Sequence, residues 1–172
     1  MRLFPGILIV IISFSFSCHN NNDLKKKAPV PGKEDMTELN SYLVQKDREV
    51  IDNYIERKGL KMTESPTGLW YSIENEGSGR QFKEGDRIII TYDCSLLDGT
   101  ECYSSDQLGP MDIVLGKSEI APGLTEGLKL LSPGSEAIFI MPPYLAYGFV
   151  GDGKKIPPRS IIVYKITAQS RK

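Results

Sequence analysis

The run Tyr144-Leu145-Ala146-Tyr147-Gly148, followed by Ile156-Pro157-Pro158 and then by Ile161-Ile-Val-Tyr-Lys-Ile166, carries more structural information than any other part of this chain. Tyr147 and Gly148 open a glycine-rich loop, and the Ile-Pro-Pro sequence closes it. The β-branched run that follows reads as a strand and brings a further aromatic, Tyr164. A loop bent by glycine and stiffened by proline, with aromatic and branched apolar side chains around it, is how a shallow apolar pocket forms beside a sheet edge.

Working upstream, the same ordered spacing continues through Gly85-Asp86, Ile90-Thr-Tyr92, Leu97-Asp-Gly99, Tyr103-Ser-Ser105, Leu115-Gly-Lys117, Ile120, Pro122-Gly123, Glu126-Gly127 and Gly134. Together these residues resemble the FKBP family of peptidyl-prolyl isomerases, over roughly Met62 to Lys172. Any one element alone would be a weak signal; the specificity lies in their order. The implied fold is α+β: a bent antiparallel β-sheet wrapped around one short helix, here preceded by an N-terminal helix. The periodicities agree. Strands are predicted at 61–63, 68–74, 87–96, 102–105, 112–115, 136–141 and 160–167, with turns at Glu76-Gly-Ser-Gly79, Lys83-Glu-Gly-Asp86 and Asp98-Gly99. A single short helix is expected from Pro122, with Leu124, Leu128 and Leu131 on one face.

The chain has 172 residues and a formal net charge of −1. That leaves room for one domain with an extension, and it argues against a nucleic-acid partner, which would need clustered Lys and Arg. Lys25-Lys26-Lys27 reads as a solvated spacer. Arg2 followed by the apolar run Leu3 to Phe16 is too short for a membrane span and reads as a signal peptide over 1–17. It ends at Ser15-Phe-Ser-Cys18, which resembles a bacterial lipobox and implies lipidation of Cys18. An ordinary cleaved leader with Cys18 incidental is the alternative. A lipidated Cys18 would make a lipid membrane a partner without spanning it, and would place the protein in the bacterial cell envelope, facing the periplasm or the cell surface. Residues 18–33 then form a polar tether, 34–60 an N-terminal helical segment, and 61–172 the FKBP-like domain.

The helix is expected over Glu34 to Lys58, with Thr37 helping to cap its start and Gly59 ending it. Met36, Leu39, Leu43, Val50 and Tyr54 form an apolar stripe, widened by Val44, Ile51 and Ile55. The stripe reads as packing on the domain; a dimer seam through residues 36–55 is the alternative. Cys94 and Cys102 flank a hairpin. A two-residue Asp98-Gly99 turn would set Cys94 opposite Tyr103 and the two thiols on opposite faces. A three-residue loop centred on Asp98 would set the cysteines opposite each other, within reach of a disulfide.

The one histidine is His19. Ser-His-Asp, Cys-His and HExxH mechanisms therefore fall away, and no CxxC or phosphate-binding loop is present. No metal or cofactor is implied. Prolyl isomerisation needs none of these. The barrier to peptide-bond rotation is ~18–20 kcal/mol because amide resonance is lost in the twisted state. A pocket that excludes water from the amide and fits the twisted geometry lowers that barrier with no bond broken.

The resemblance implies the site residues one by one. Tyr92, Ile120, Leu124 and Tyr147 take the catalytic-pocket positions, with the Tyr147 hydroxyl contacting the substrate carbonyl. Cys102, Tyr103, Met111, Ala121, Ile156 and Tyr164 complete the substrate-binding surface, and proline-containing polypeptides are the implied partner. Taken singly, Tyr92, Leu124, Ile120 and Tyr164 would read as core. Three positions depart from the family pattern: Cys102 and Met111 stand where phenylalanines are usual, and Tyr103 stands where an aspartate supports pocket polarity. The departures leave three readings open. One is an isomerase acting on exported polypeptides. Another is a catalytically weak chaperone or scaffold module. The last is a component of an envelope machine, such as the motility apparatus to which FKBP-like lipoproteins of gliding bacteria are linked.

Overall fold

A computed structural model describes residues 32–170. The expected leader, Cys18 and most of the tether lie outside the described residues. The element order is α1 (Lys33–Lys58), β1 (Thr63–Glu64), β2 (Trp70–Asn75), β3 (Arg87–Leu96), β4 (Glu101–Ser104), α2 (Ser105–Leu108), β5 (Met111–Val114), α3 (Pro122–Leu128), β6 (Glu136–Met141), a 3₁₀ turn (Pro143–Leu145) and β7 (Ile162–Ser170).

All strand pairings are antiparallel, in the order β1-β2-β6-β7-β3-β4, with β5 also pairing β3. Strand β3 organises the sheet. Along one edge it pairs continuously with β7, from Ile88↔Ser170 to Leu96↔Ile162. Along the other edge its first half pairs β5 and its second half pairs β4. One bent strand thereby carries two short partners side by side.

Period-two alternation separates the two faces. On β6, Phe139 and Met141 join the main core with α3, while Ile138 and Ile140 face the other way, toward α1; on β7, Ile162 and Tyr164 are inner and Val163 is outer. The inner core gathers Leu124, Leu128 and Leu131 against Ile88, Ile90, Tyr92, Phe139 and Tyr164. Helix α3 lies unusually close to the sheet because Gly127 has no side chain. A Cβ there would stand 2.6 Å from the Phe139 ring.

On the outer face, Ile51, Tyr54 and Ile55 pack with Trp70, Ile140 and Val163. Helix α1 therefore packs on the domain through its C-terminal half, while Met36 and Leu39 in its N-terminal half remain 52% and 49% exposed. Gly59 ends it at φ 62°, the left-handed conformation that suits glycine. At its start the capping carboxylate comes from Asp35, which accepts the Gly32 N–H at 2.9 Å; Thr37, expected in that role, instead donates to the Lys33 carbonyl.

Two short helical turns beyond the single predicted helix were not expected. Helix α2 forms where Ser105 leaves the sheet edge: its hydroxyl accepts the Tyr92 N–H at 2.7 Å, and its carbonyl accepts the Gly109 N–H at 2.8 Å. The 3₁₀ turn follows the Pro142-Pro143 pair. Strand β2 starts at Trp70 rather than Gly68, because Gly68 (φ 91°) closes a turn back to the Ser65 carbonyl.

The β3–β4 hairpin combines both predicted registers. It opens as a three-residue loop, with the Leu96 N–H bonded to the Thr100 carbonyl and Ser95 opposite Glu101. A bulge then shifts the register, so that Cys94 faces Tyr103 instead of Cys102. Both cysteines are free and fully buried, and both lie in the inner core rather than on opposite faces.

Candidate active site

The ten residues assigned to the pocket come from six different segments, yet all belong to one apolar cluster. Tyr92 comes from β3, Cys102 and Tyr103 from β4, and Met111 from the start of β5. Ile120 and Ala121 lead into α3, which carries Leu124. Tyr147 and Ile156 sit on the loop between β6 and β7, and Tyr164 on β7. Tyr92, Cys102, Ala121, Leu124, Ile156 and Tyr164 are buried in that cluster, while Tyr103, Met111, Ile120 and Tyr147 form its partly exposed rim. The Tyr92 and Tyr164 rings meet at 6.0 Å between centroids, tilted by 41°.

Polar groups inside this apolar cluster are few and specific. The Tyr164 hydroxyl interacts with the Cys94 thiol and with the Tyr147 hydroxyl. Burial raises the pKa of both tyrosines, so Tyr147 presents a neutral O–H across the physiological range. Burial likewise pushes the Cys94 thiol up to about 12, which makes it inert packing rather than a nucleophile.

Tyr103 makes the rim's strongest polar contact, by donating its hydroxyl to the Asp152 carboxylate. That carboxylate also accepts the Lys154 and Ile156 N–H groups at 2.8 Å each. Burial would raise Asp152, but the Tyr103 hydroxyl and these N–H groups outweigh it and hold the carboxyl below its ordinary range. Lys155 lies 5.4 Å over the Tyr103 ring and bonds Gln107 of α2 at 3.1 Å, bridging the two loops that flank the rim. Asp152 is not among the candidate residues that the sequence pointed to. Its position between Gly151 and Gly153, an Asx-turn pattern, was the available signal. Asp47 and Arg159, which tie α1 to this loop, were missed too, because their pairing across 112 residues of sequence leaves no local trace.

An open groove of about 640 Å³ runs past Arg48, Ser65, Pro66 and Tyr144. One of about 320 Å³ crosses the outer sheet face past Thr91, Tyr92, Asp93, Glu136 and Lys165. Another of about 410 Å³ runs between the N-terminal half of α1 and Phe149. Among the described residues there is no cluster of His, Cys, Asp or Glu suited to a metal ion.

The family model for FKBP-type peptidyl-prolyl cis-trans isomerases matches residues 78–169, which span every one of the ten positions. The chain belongs to this family. Over 110 residues it is 36% identical to the probable FKBP-type isomerase FkpA of Neisseria meningitidis, covering 64% of this chain and 39% of that protein. It is 35% identical over 122 residues to FkpA of Escherichia coli, covering 70% and 43%. The chain thus spans less than half the length of these relatives. The crystal structure of Escherichia coli FkpA superposes with a TM-score of 0.63 at 27% identity, covering 81% of this chain and 73% of that one. The structure of AtFKBP13 superposes at 0.60 and 28% identity, covering 65% and 99%.

At the position where the resemblance implies an acid, Tyr103 stands instead, and its hydroxyl contacts the Asp152 carboxylate on the loop between β6 and β7.

Proposed function

We propose that the protein is a peptidyl-prolyl cis-trans isomerase that acts on exported polypeptides in the bacterial cell envelope, tethered through Cys18. The carrying observation is the convergence of ten separated residues on one apolar cluster whose rim includes Tyr147. In this reading the proline ring enters between Tyr92, Ile120 and Leu124. The Tyr147 O–H donates to the substrate carbonyl, whose oxygen gains localised charge as the amide twists and loses resonance. Tyr164 supports the step by donating to the Tyr147 oxygen, which leaves the Tyr147 proton free for substrate. The dry walls deny the planar amide its hydrogen bonds from water.

Exchange NMR of a short Leu-Pro peptide tests this. Accelerated cis–trans exchange, reduced about tenfold in Tyr147→Phe, is the expected result. A second reading, a proline-binding module without useful turnover, draws on the small walls at Cys102 and Met111 and the Tyr103–Asp152 contact across the rim. Peptide-induced shifts at Tyr147 and Ile120 with no acceleration would select it.

Two further elements belong to this proposal. The exposed stripe of α1 around Met36 and Leu39 offers a seam for a second copy; Leu39→Arg should then halve the mass measured by light scattering. Anchoring through Cys18 predicts that Cys18→Ala releases the protein from the membrane fraction.

A further inference from the structure

We infer that the Asp47–Arg159 ion pair makes α1 a positioning element for the loop that carries Tyr147, so that turnover depends on the N-terminal helix as well as on the pocket. The inference rests on the isomerase reading above.

Four observations converge on Arg159. First, the Asp47 carboxylate accepts two hydrogen bonds from the Arg159 guanidinium, at 2.7 and 2.9 Å. The two side chains are 13% and 28% exposed, which shields the pair from water and salt. Burial raises the Asp47 pKa and Arg159 partly offsets that, so the carboxylate remains charged there through its partner. Second, the Arg159 N–H donates to the Gly148 carbonyl at 2.9 Å, directly beside Tyr147. Third, its guanidinium lies 5.5 Å over the Phe149 ring. Fourth, Arg159 has φ 56°, the one positive φ of a non-glycine among the described residues. A branchless backbone would adopt that conformation freely; an arginine holds it when surrounding contacts specify it.

The loop is thereby held at both ends of its first turn. The Gly148 N–H is bonded to the Pro143 carbonyl at 2.8 Å, and the Gly148 carbonyl to Arg159. Arg159 is in turn fixed from outside the sheet by α1. A cavity of about 100 Å³ between Leu43, Val44, Pro143, Tyr144 and Phe149 lies alongside, so apolar packing between helix and loop is incomplete at this point. The ion pair is what crosses it. Asp47 and Arg159 are not members of the apolar cluster, and they act through Gly148 on the placement of the Tyr147 hydroxyl.

The test compares Asp47→Asn and Glu49→Gln in the full chain. Glu49 pairs with Lys46 on the exposed side of the same helix and serves as the control. Asp47→Asn is expected to lower kcat/KM for a Leu-Pro peptide by about three- to tenfold, chiefly in kcat. The amide signals of Gly148 and Phe149 should broaden, and Glu49→Gln should change neither. The double variant Asp47→Arg, Arg159→Asp should recover part of the activity. In a Tyr147→Phe background, Asp47→Asn should cost no further activity, though it lowers the thermal midpoint as before. An equal activity loss with and without the Tyr147 hydroxyl would overturn the inference. So would a lowered midpoint with unchanged kcat/KM and sharp Gly148 signals. If the parent protein accelerates no exchange, it is the isomerase reading that fails; the loop signals then still decide whether α1 positions the loop.

Discussion

On the inner face of the sheet, Phe139, Met141, Ile162 and Tyr164 are buried in the large core that α3 joins, whereas on the outer face Ile140 and Val163, buried as completely, belong to a small cluster with Ile51 in the C-terminal half of α1. The inner face is closed by a seven-residue helix brought close by glycines; the outer face is covered by a 26-residue helix that leaves its first half exposed. The shorter helix therefore does more for the fold. Burial scales with matched apolar surface and not with helix length. The long helix reaches the loop between β6 and β7 through a polar link, Asp47 to Arg159, and so its expected contribution falls on placement more than on core stability.

Removing side chains from each face measures the contrast. Leu128→Ala, in the inner core, is expected to destabilise by about 2–5 kcal/mol in urea unfolding, since a tightly packed site cannot collapse around the void. Ile51→Ala, the buried residue of α1, should cost about 2 kcal/mol, because the outer cluster has fewer neighbours to lose and a helix that can shift. A larger loss at Ile51 than at Leu128 would reverse the ranking of the two faces. Tyr147→Phe should reduce kcat/KM by about tenfold, the scale of one hydrogen bond, while leaving the unfolding midpoint within error. A matching loss of stability would make Tyr147 a core residue.

The smallest expected effect concerns acid. The Arg80 guanidinium and the Lys83 N–H hold the Asp86 carboxyl at about 2 in the folded state. The unfolded value is about 3.9. A depressed folded-state pKa contributes stability that is present above the unfolded value and lost as pH falls through it toward 2. Asp86→Asn should therefore flatten, slightly, the fall of the thermal midpoint between these limits, because Asp86 is only partly buried and its partner Arg80 is exposed, so the pair is screened by solvent. An unchanged acid limb would assign the fall to other carboxylates.

Much of the sheet was legible. Strands β3 and β6 have the predicted bounds, because their alternation is long and uninterrupted. Helix α1 differs by one residue at its start. The assignment of the ten candidate residues rests on the ordered resemblance alone, and no periodicity by itself marked any of them; the structure places all ten in or against the main core cluster. Less legible were short structures that depend on single contacts. Helix α2 forms on the Ser105 hydroxyl and backbone, and the hairpin register turns on a bulge at Cys102 that neither predicted loop length included.

The sequence by itself determined the strand pattern and the length of α1, because each follows from local periodicity. Only the tertiary structure decided that Tyr103 would donate to Asp152, that Cys94 and Cys102 would share a core without facing each other, and that α1 would reach the loop between β6 and β7 through Arg159. These outcomes depend on distances between residues 49 to 112 positions apart in the chain, or on one extra residue in a strand. Such distances are set by how the elements pack, and side-chain identity alone does not encode them.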